Sequence, residues 1–505
     1  MHQTSRFYPF AMDKIWLLII CLTAFRLVFI GFAPVTEQEV YYWLYSQNLD
    51  YSYVDHPPMV GISIFLGTYL FGDNGFGIKF MAVVWSLLTN TLLYITARRA
   101  ASELSELESK DIAFTAVVLY NLALFVHLFA IIQQPDSALL FFWLAVLYFI
   151  QEFQITRRSR NFIYAGVALG LGLLTKYTVV AILPGIFIAL LLNPRTRRSL
   201  LTVYPYLAVI IAFILFSPVI YWNYQHEWIS FDMQFSQRGQ KATSPNSLHY
   251  RYLLQLIGTQ LAMLSPLLFV LFIKCCSRLA SQWRRYSAVH LYFLSGAFLI
   301  LGFTLISLTS KVKLHWLLPG YLGIILAIAF MFKEFLLSKS KWVSRGAWFS
   351  IILIVLCHGL LAFPGFQVFQ VNSWSGWKHF TGQVLDLQDS LGGQKNVFIF
   401  TNSHKTAAYI TFYSPDHQRT YAHNAIGVFA KQFDVWGVPE NLRGKTGIYV
   451  SSRPKLNPAE KVLVARYFDK VSFARKFSYS LFSVGDKPTR DIYCYIGTNY
   501  SLDPK

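Results

Sequence analysis

The sequence predicts an all-α membrane protein of about eleven transmembrane helices followed by a small α/β soluble domain. Hydrophobic residues make up 55% of the 505 and charged residues only 14%, whereas a soluble globular chain carries about 25% charged residues and needs them to wet its surface. Apolar runs long enough to cross a hydrocarbon core recur through residue 366, and from 367 the pattern changes to short alternating elements.

The charge is lopsided, with 44 Lys and Arg against 25 Asp and Glu. Such a balance fits nucleic acid in principle. Here the cations sit in short tracts between apolar runs, where topology and anionic head groups account for them, so no nucleic-acid partner is expected. The cysteines at 21, 275, 276, 357 and 494 show no metal or disulfide spacing. Arg6 and Lys14 precede an apolar run that continues to Ala33 without a small-residue cleavage site, which reads as a retained first helix.

The spans fall near 14–33, 77–97, 111–132, 136–153, 161–175, 177–193, 199–222, 253–274, 287–309, 315–332 and 346–366. The stretch 161–193 has Thr175-Lys176-Tyr177 at its middle and reads as two short helices or one broken one. Every connection from an even to an odd span is basic: Arg98 and Arg99; Arg157, Arg158 and Arg160; Arg195, Arg197 and Arg198; Lys274, Arg278, Arg284 and Arg285; Lys339, Lys341 and Arg345. Basic loops stay inside, which sets the N-terminus in the cytoplasm and the domain 367–505 on the periplasmic or extracytoplasmic side of the inner membrane. Two outside loops, 34–76 and 223–252, are too long for connectors and rich in aromatic residues, which predicts ordered loops on the membrane surface. In the last region Val397–Phe400, Gly447–Val450, Val471–Tyr479 and Asp491–Ile496 read as strands, His404–Tyr413 and Asn457–Phe468 as helices.

Loop 34–76 carries Glu39 beside Tyr41, Tyr42 and Trp43, then Asp55-His56-Pro57-Pro58. Interfacial acids among aromatics are ordinarily a solvated belt; two prolines holding Asp55 and His56 in one geometry suit a site better than a connector. Asp136 follows Pro135 in a short outside link, where an acid caps a helix or holds a polar ligand at its N-terminus. Lys176 lies in an otherwise apolar stretch, where a lysine is costly unless it snorkels or pairs. Arg238, Lys241, Arg251, Lys311, Lys313 and His315 add positive charge on the outside, against the topology rule; an anionic ligand at the outer leaflet explains them together, solvated loop charge explains each alone. Arg26, inside the first span, snorkels or pairs with an acid.

With these residues in view, the chain resembles a known family. Glu39-Val40-Tyr41-Tyr42-Trp43, Asp55-His56-Pro57-Pro58-Met59, Phe76-Gly77-Ile78-Lys79, Gln134-Pro135-Asp136-Ser137, Leu174-Thr175-Lys176-Tyr177, Pro218-Val219-Ile220-Tyr221-Trp222-Asn223 and His315-Trp316 to Pro319-Gly320-Tyr321 are similar, in order, to bacterial polyprenyl-phosphate-dependent glycosyltransferases of the protein-mannosyltransferase and aminoarabinose-transferase-like group. Phe433-Asp434-Val435-Trp436 is similar to the tail of the same subgroup. The resemblance implies the C-type membrane glycosyltransferase fold and transfer of a sugar from a polyprenyl phosphate to a lipid, glycan or protein at the outer face. It implies Glu39, Asp55 and Asp136 as catalytic acids, with Gln38 where many members have Asp. Tyr41, Tyr42, His56, Lys176, Arg238, Lys241, Arg251, Lys313 and His315 would bind substrate, with cations stabilising the departing lipid phosphate. The resemblance names no definite cofactor, and a divalent metal held by the acids stays open. A transporter or flippase for a lipid-linked saccharide is the competing reading; it predicts charges near mid-membrane, whereas the acids here cluster at the outer rim.

Overall fold

A computed structural model describes residues 14–240 (235–240 as backbone), 250–338, 340–362, 374–453, 456–479 and 490–504. After α1 (Lys14–Ile30), the first long loop is itself helical, with α2 (Glu37–Gln47) and α3 (Met59–Phe71). There follow α4 (Gly75–Ala100), α5 (Glu106–Asn121), α6 (Leu124–Ile131), α7 (Pro135–Thr156), α8 (Arg160–Leu173), α9 (Ile182–Leu192), α10 (Tyr204–Gln225), α11 (Ile229–Gln240), α12 (Tyr250–Leu264), α13 (Pro266–Ser281), α14 (His290–Ile306), α15 (Leu318–Leu337) and α16 (Lys341–Ala362). Among the described residues, six helices can each cross a membrane by length and composition, or eight if two bent pairs each count as one span. The chain is thus mostly helical and polytopic. The open question at 161–193 resolves as two short helices, α8 and α9, separated by Leu174–Lys176 and a 3-10 turn.

Two expected straight spans are bent. The run 111–132 breaks by 71° between α5 and α6. The Asn121 carbonyl freed there accepts a hydrogen bond from His127 Nε2 at 2.9 Å, which satisfies a backbone group that hydrocarbon cannot. The run 253–274 becomes α12 and α13, bent by 113°. Pro266 opens α13 and disfavours helix at the preceding residue; Ser265 takes φ +71°, and α12 ends.

The core lies among α4–α7, α14 and α15, where Trp143, Leu147 and Leu326 are fully enclosed. Small residues allow the closest approaches. A Cβ on Gly166 of α8 would stand 2.5 Å from the Ala208 carbonyl of α10, and one on Gly67 of α3 would stand 2.1 Å from the Gly77 carbonyl of α4. The second approach presses α3 against the start of α4, two residues before Lys79.

The C-terminal region comprises α17 (Trp377–Ser390), α18 (Gly393–Asn396), β1 (Val397–Thr401), α19 (His404–Tyr413), α20 (Gln432–Trp436), β2 (Thr446–Ser451), α21 (Pro458–Tyr467), β3 (Lys470–Tyr479) and β4 (Arg490–Thr498). The sheet order is β1-β2-β4-β3, parallel between β1 and β2 and antiparallel elsewhere. On one side these elements close a core of their own around Phe398, Phe400, Tyr449, Val464 and Phe468; the other side is shared with the first loop. One apolar cluster joins Tyr41, Trp43, Tyr45 and Ile64 from α2 and α3 to Phe380, Tyr409 and Phe433. Trp43 meets Phe412 edge-on at 5.1 Å, and Tyr409 donates to the Val35 carbonyl at 3.0 Å.

Gly67→Ala should destabilise the purified protein by the ~1–3 kcal/mol typical of overpacking, read as a lowered unfolding midpoint. Gly302→Ala, whose Cβ meets nothing within 4 Å, should leave it unchanged or slightly raised. Equal midpoints would mean that α3 and α4 separate without cost.

Candidate active site

Thr36 caps α2, and Glu39 reaches back to the Thr36 N–H at 2.8 Å, a capping box that fixes the carboxylate against the helix start. Glu39 is 0% exposed. Its Oε2 also accepts from Lys79 Nζ at 2.5 Å, and its Oε1 accepts from the Gln133 N–H at 2.9 Å. Lys79 is itself enclosed, so each charge is the other's compensation in a dry site. Glu39 therefore joins α2, α4 and the segment before α7. Its carboxylate is occupied by three donors, unlike an acid waiting for a substrate proton.

Asp55 is differently placed. Tyr53 N–H donates to the His56 carbonyl at 3.1 Å, closing the turn that Pro57 and Pro58 stiffen. The Asp55 carboxylate is 5% exposed. Its Oδ2 accepts from Lys431 Nζ at 3.2 Å and Tyr45 Oη at 3.4 Å, while Oδ1 is buried with no hydrogen-bond partner. Burial and the charge of Asp55 hold the Tyr41 phenol well above its usual pKa; burial does the same to Tyr45, so both stay protonated. Tyr42 packs edge-on to His56 at 5.6 Å.

Asp136 lies in the first turn of α7, after Pro135 at its start. Rather than capping the helix, its two oxygens accept from Lys176 Nζ at 2.8 and 3.0 Å. Lys176 occupies the break between α8 and the 3-10 turn and neither snorkels nor stands alone. The Met59 N–H donates to the Leu174 carbonyl at 3.0 Å, which brings the Asp55 loop to the segment bearing Lys176. Tyr177 bonds Ser230 at 2.9 Å and Trp222 donates to Asp50 at 2.8 Å, closing α10 and α11 on the same loop. Gln234 Nε2 donates to the Asp55 carbonyl at 2.7 Å.

Of the remaining expected residues, Arg251 is exposed in the first turn of α12. Lys311 and Lys313 are exposed, and the His315 ring lies 6.1 Å from Phe129. Lys241 and the Arg238 side chain lie outside the described residues. Among the described residues no three His, Cys, Asp or Glu side chains gather to hold a metal ion.

Four groups were not foreseen. Lys79 stands just inside an apolar span, where a charge signals a buried partner. Gln133 is 0% exposed, with both side-chain polar atoms unpartnered, beside the backbone that Glu39 holds. Lys431 and Gln432 come from the far end of the chain. Lys431 adopts φ +62°, a conformation unusual for a side-chain-bearing residue, and reaches Asp55; Gln432 Oε1 accepts from Val54 N–H at 2.9 Å. Beside them His404, pushed down to about 2 by burial and then by Lys431 and Lys405, stays neutral with Nε2 unpartnered. Nothing near 431 in the sequence signals this role.

Because Glu39 is locked between charge and backbone, Glu39→Gln should cost ~3–5 kcal/mol of stability by leaving Lys79 uncompensated. Adding Lys79→Met should recover much of that loss. Losses in the double variant equal to the sum of the two singles would show that the pair is not coupled.

Residues 55–222 match the family described as dolichyl-phosphate-mannose-protein mannosyltransferase. The chain is 28% identical over 320 residues to the lipid A galacturonosyltransferase RgtD of Rhizobium johnstonii, covering 62% of this chain and 64% of the relative, which is less than two thirds of that protein. It is 24% identical over 161 residues to the undecaprenyl phosphate-alpha-4-amino-4-deoxy-L-arabinose arabinosyl transferase of Wigglesworthia glossinidia brevipalpis, covering 30% of this chain and 27% of the relative. In fold it is similar to ArnT from Cupriavidus metallidurans in the apo state, with a TM-score of 0.62 at 12% identity over 95% of this chain and 98% of that one. The same protein bound to undecaprenyl phosphate gives 0.60 at 14% identity, over 98% and 100%. The chain thus resembles the protein-mannosyltransferase and aminoarabinose-transferase-like group of C-type membrane glycosyltransferases, in sequence across residues 55–222 and in fold across nearly all of its length.

Proposed function

We propose that this protein is a membrane glycosyltransferase that moves a sugar from a polyprenyl-phosphate donor to a glycolipid, glycan or protein acceptor at the outer face of the cytoplasmic membrane. One observation carries the reading. A half-satisfied carboxylate, Asp55, stands on a loop hydrogen-bonded to the segment that bears Lys176, the partner of Asp136, on a frame that Glu39 and Lys79 hold. Acids and cations gathered at one rim, rather than strung along a path through the bilayer, favour transfer over the transporter alternative.

In this mechanism Asp55 Oδ1 accepts the proton of an acceptor hydroxyl as its oxygen bonds to the anomeric carbon. The bond from that carbon to the phosphate oxygen breaks, and the electron pair leaves with the lipid phosphate. Lys176, held by Asp136, supplies positive charge to the departing phosphate, with Arg238, Lys241, Arg251, Lys313 and His315 as the basic surround. A single displacement inverts the anomeric centre. Tyr41, Tyr42 and His56 line the loop that positions the sugar, and Glu39 holds the frame. A divalent ion, if Asp55 and Asp136 held one, would supply further positive charge to the departing phosphate.

The proposed topology has eleven crossings, counting α5–α6 and α12–α13 once each and including the short α1, α8 and the helix 177–192. The basic loops support a cytoplasmic N-terminus and a periplasmic region after 367. α12 would then lie near the interface, with α13 crossing.

Transfer from a purified polyprenyl-phosphate sugar should fall by roughly 10²–10⁴ in Asp55→Asn, as expected on removing a general base, with folded protein retained. Undiminished turnover in that variant would assign the base elsewhere. In a cysteine-free background, Arg158→Cys and Asp416→Cys, both at exposed positions, should label from opposite sides of the membrane; labelling from one side would overturn the orientation.

A further inference from the structure

From residue 233 to residue 385 the sequence carries a single acid, Glu334, while Lys and Arg recur throughout. Several of those cations meet where the end of α13, the end of α15 and the start of α16 come together. Lys274 Nζ of α13 lies 5.6 Å from the Phe335 ring of α15 and 5.2 Å from the Trp342 ring of α16, and those two rings are 5.8 Å apart. One turn on, the Arg278 guanidinium lies 4.2 Å over the Phe332 ring. α16 opens with Lys341 and brings Arg345 one turn later. Leu267, near the start of α13, packs against Gly346, so α13 and α16 run antiparallel with these ends together.

Lys274, Arg278, Lys341 and Arg345 are all exposed. Arg26 is the contrast: it is buried, donates to Ser86 Oγ at 2.9 Å and Asn121 Oδ1 at 3.1 Å, and neither snorkels nor finds an acid among the described residues. Among the described residues none of the four exposed cations has a carboxylate within ion-pair distance. Glu334 is exposed on α15 and pairs with none of them, and the neighbouring Lys333 is taken by Glu108 at 2.6 Å. Topology asks only that such a rim be basic. It does not ask for like charges one turn apart on a helix, which repel each other, nor for rings that fix two of them in place. A cation resting on a ring keeps its outward N–H groups free to donate. Farther along the two helices the exposed side chains Val270, Ile273, Trp348 and Ile352 are apolar.

We infer that this junction binds an anionic phospholipid, its phosphate held by Lys274 and Arg278 with Lys341 and Arg345 beside them, and its chains along the exposed apolar faces of α13 and α16. The occupant must bring negative charge, because over this stretch the chain itself supplies one acid. It must also bring hydrocarbon, because the surface next to the cations is apolar; free phosphate offers only the first. Basic sites between membrane helices hold anionic head groups by this combination. The depth suits a head group. Arg278 precedes the end of α13 by three residues and Arg345 follows the start of α16 by four, ~5 and ~6 Å along the axes at 1.5 Å per residue. The site shares no residue with the Asp55 rim. A lipid held here ties α16, the least enclosed of the long apolar helices, to α13 and α15.

The test uses the full chain in nanodiscs of phosphatidylcholine alone or with phosphatidylglycerol, read by unfolding midpoint and by native mass spectrometry of retained lipid. Phosphatidylglycerol should raise the midpoint and stay bound; an unmoved midpoint with no retained lipid would overturn the site. Lys274→Gln combined with Arg278→Gln should keep the midpoint seen in pure phosphatidylcholine. It should reduce retained phosphatidylglycerol at least about tenfold, the effect of losing roughly 1.4 kcal/mol of binding. If that double variant is unstable in phosphatidylcholine, Arg345→Gln on α16 carries the same expectation for retained lipid. Arg158→Gln combined with Arg160→Gln, at exposed positions on another basic loop, should retain the lipid as the unaltered chain does. An equal loss there would mean diffuse attraction to basic loops in general and would overturn the site, as would full retention in the α13 and α16 variants. Equal stabilisation by inorganic phosphate in pure phosphatidylcholine would overturn the lipid as occupant. Neither readout depends on sugar transfer, so the inference and the proposed function fail separately.

Discussion

The Glu39 carboxylate is the joint on which the rest of the site depends. Its three donors come from three segments: the Thr36 amide at the start of α2, the Lys79 ammonium in the second turn of α4, and the Gln133 amide ahead of α7. Without the acid, Lys79 would be a charge buried at 1% exposure and the Gln133 amide an orphan donor. Both costs are large in a low-dielectric setting, and both vanish when one carboxylate meets them together. Asp136 follows Gln133 by three residues, so the geometry of the Asp136–Lys176 pair is inherited from this joint. The Gly67–Gly77 approach serves the same end by pressing α3 onto the start of α4.

A second constraint comes from the opposite end of the chain. The C-terminal region supplies Lys431 to Asp55, Lys405 to Glu37 and Gln432 to the backbone of Val54. These polar links rim an apolar interface in which Tyr41, Trp43 and Tyr45 are buried against Phe412, Phe433 and Trp436. Aromatic residues that look like a membrane belt are here the seam between the loop and the last region. The positive φ of Lys431 is local strain that the surrounding packing maintains, as is common where a side chain must be aimed. The loop that carries Asp55 is thereby clamped from above by the C-terminal region and from the side by α10 and α11.

Much of the architecture was legible because hydropathy and turn chemistry act locally. The runs in the first 366 residues became helices, and β1, β2, α19 and α21 fall where alternation, a capping Asn457 and Pro458 pointed. The bend at Ser265 was legible too, since Pro266 follows it, but a run of apolar residues outweighed that signal. The break at Asn121 was not, because it depends on His127 capping a carbonyl one turn away in three dimensions. Site residues were found singly, by type and place. Their partners were not: Lys79 with Glu39 and Lys176 with Asp136 are each 40 positions apart, and Lys431 with Asp55 is 376 apart. Nothing in a single sequence pairs residues at such separations. The helix α17 was also missed; it packs on α18, β1, α19 and β3.

Three carboxylates of similar chemistry stand at this rim, and their surroundings divide the work among them. Glu39 has donors on both oxygens and no exposure, which makes it a fixture. Asp136 has both oxygens on one ammonium, an arrangement that orients Lys176 while leaving that lysine's charge partly offset. Asp55 alone keeps an oxygen without a donor, while its other oxygen is held by a lysine and a tyrosine. On the proposed mechanism, a carboxylate steadied on one oxygen and without a donor on the other can accept a proton without losing its place, which is what a base in a transfer reaction requires. Roles set by environment rather than residue type are a general device for running acid and base steps on one scaffold. On the proposed mechanism the sequence's three acids would divide into one base, one orienting group and one structural joint.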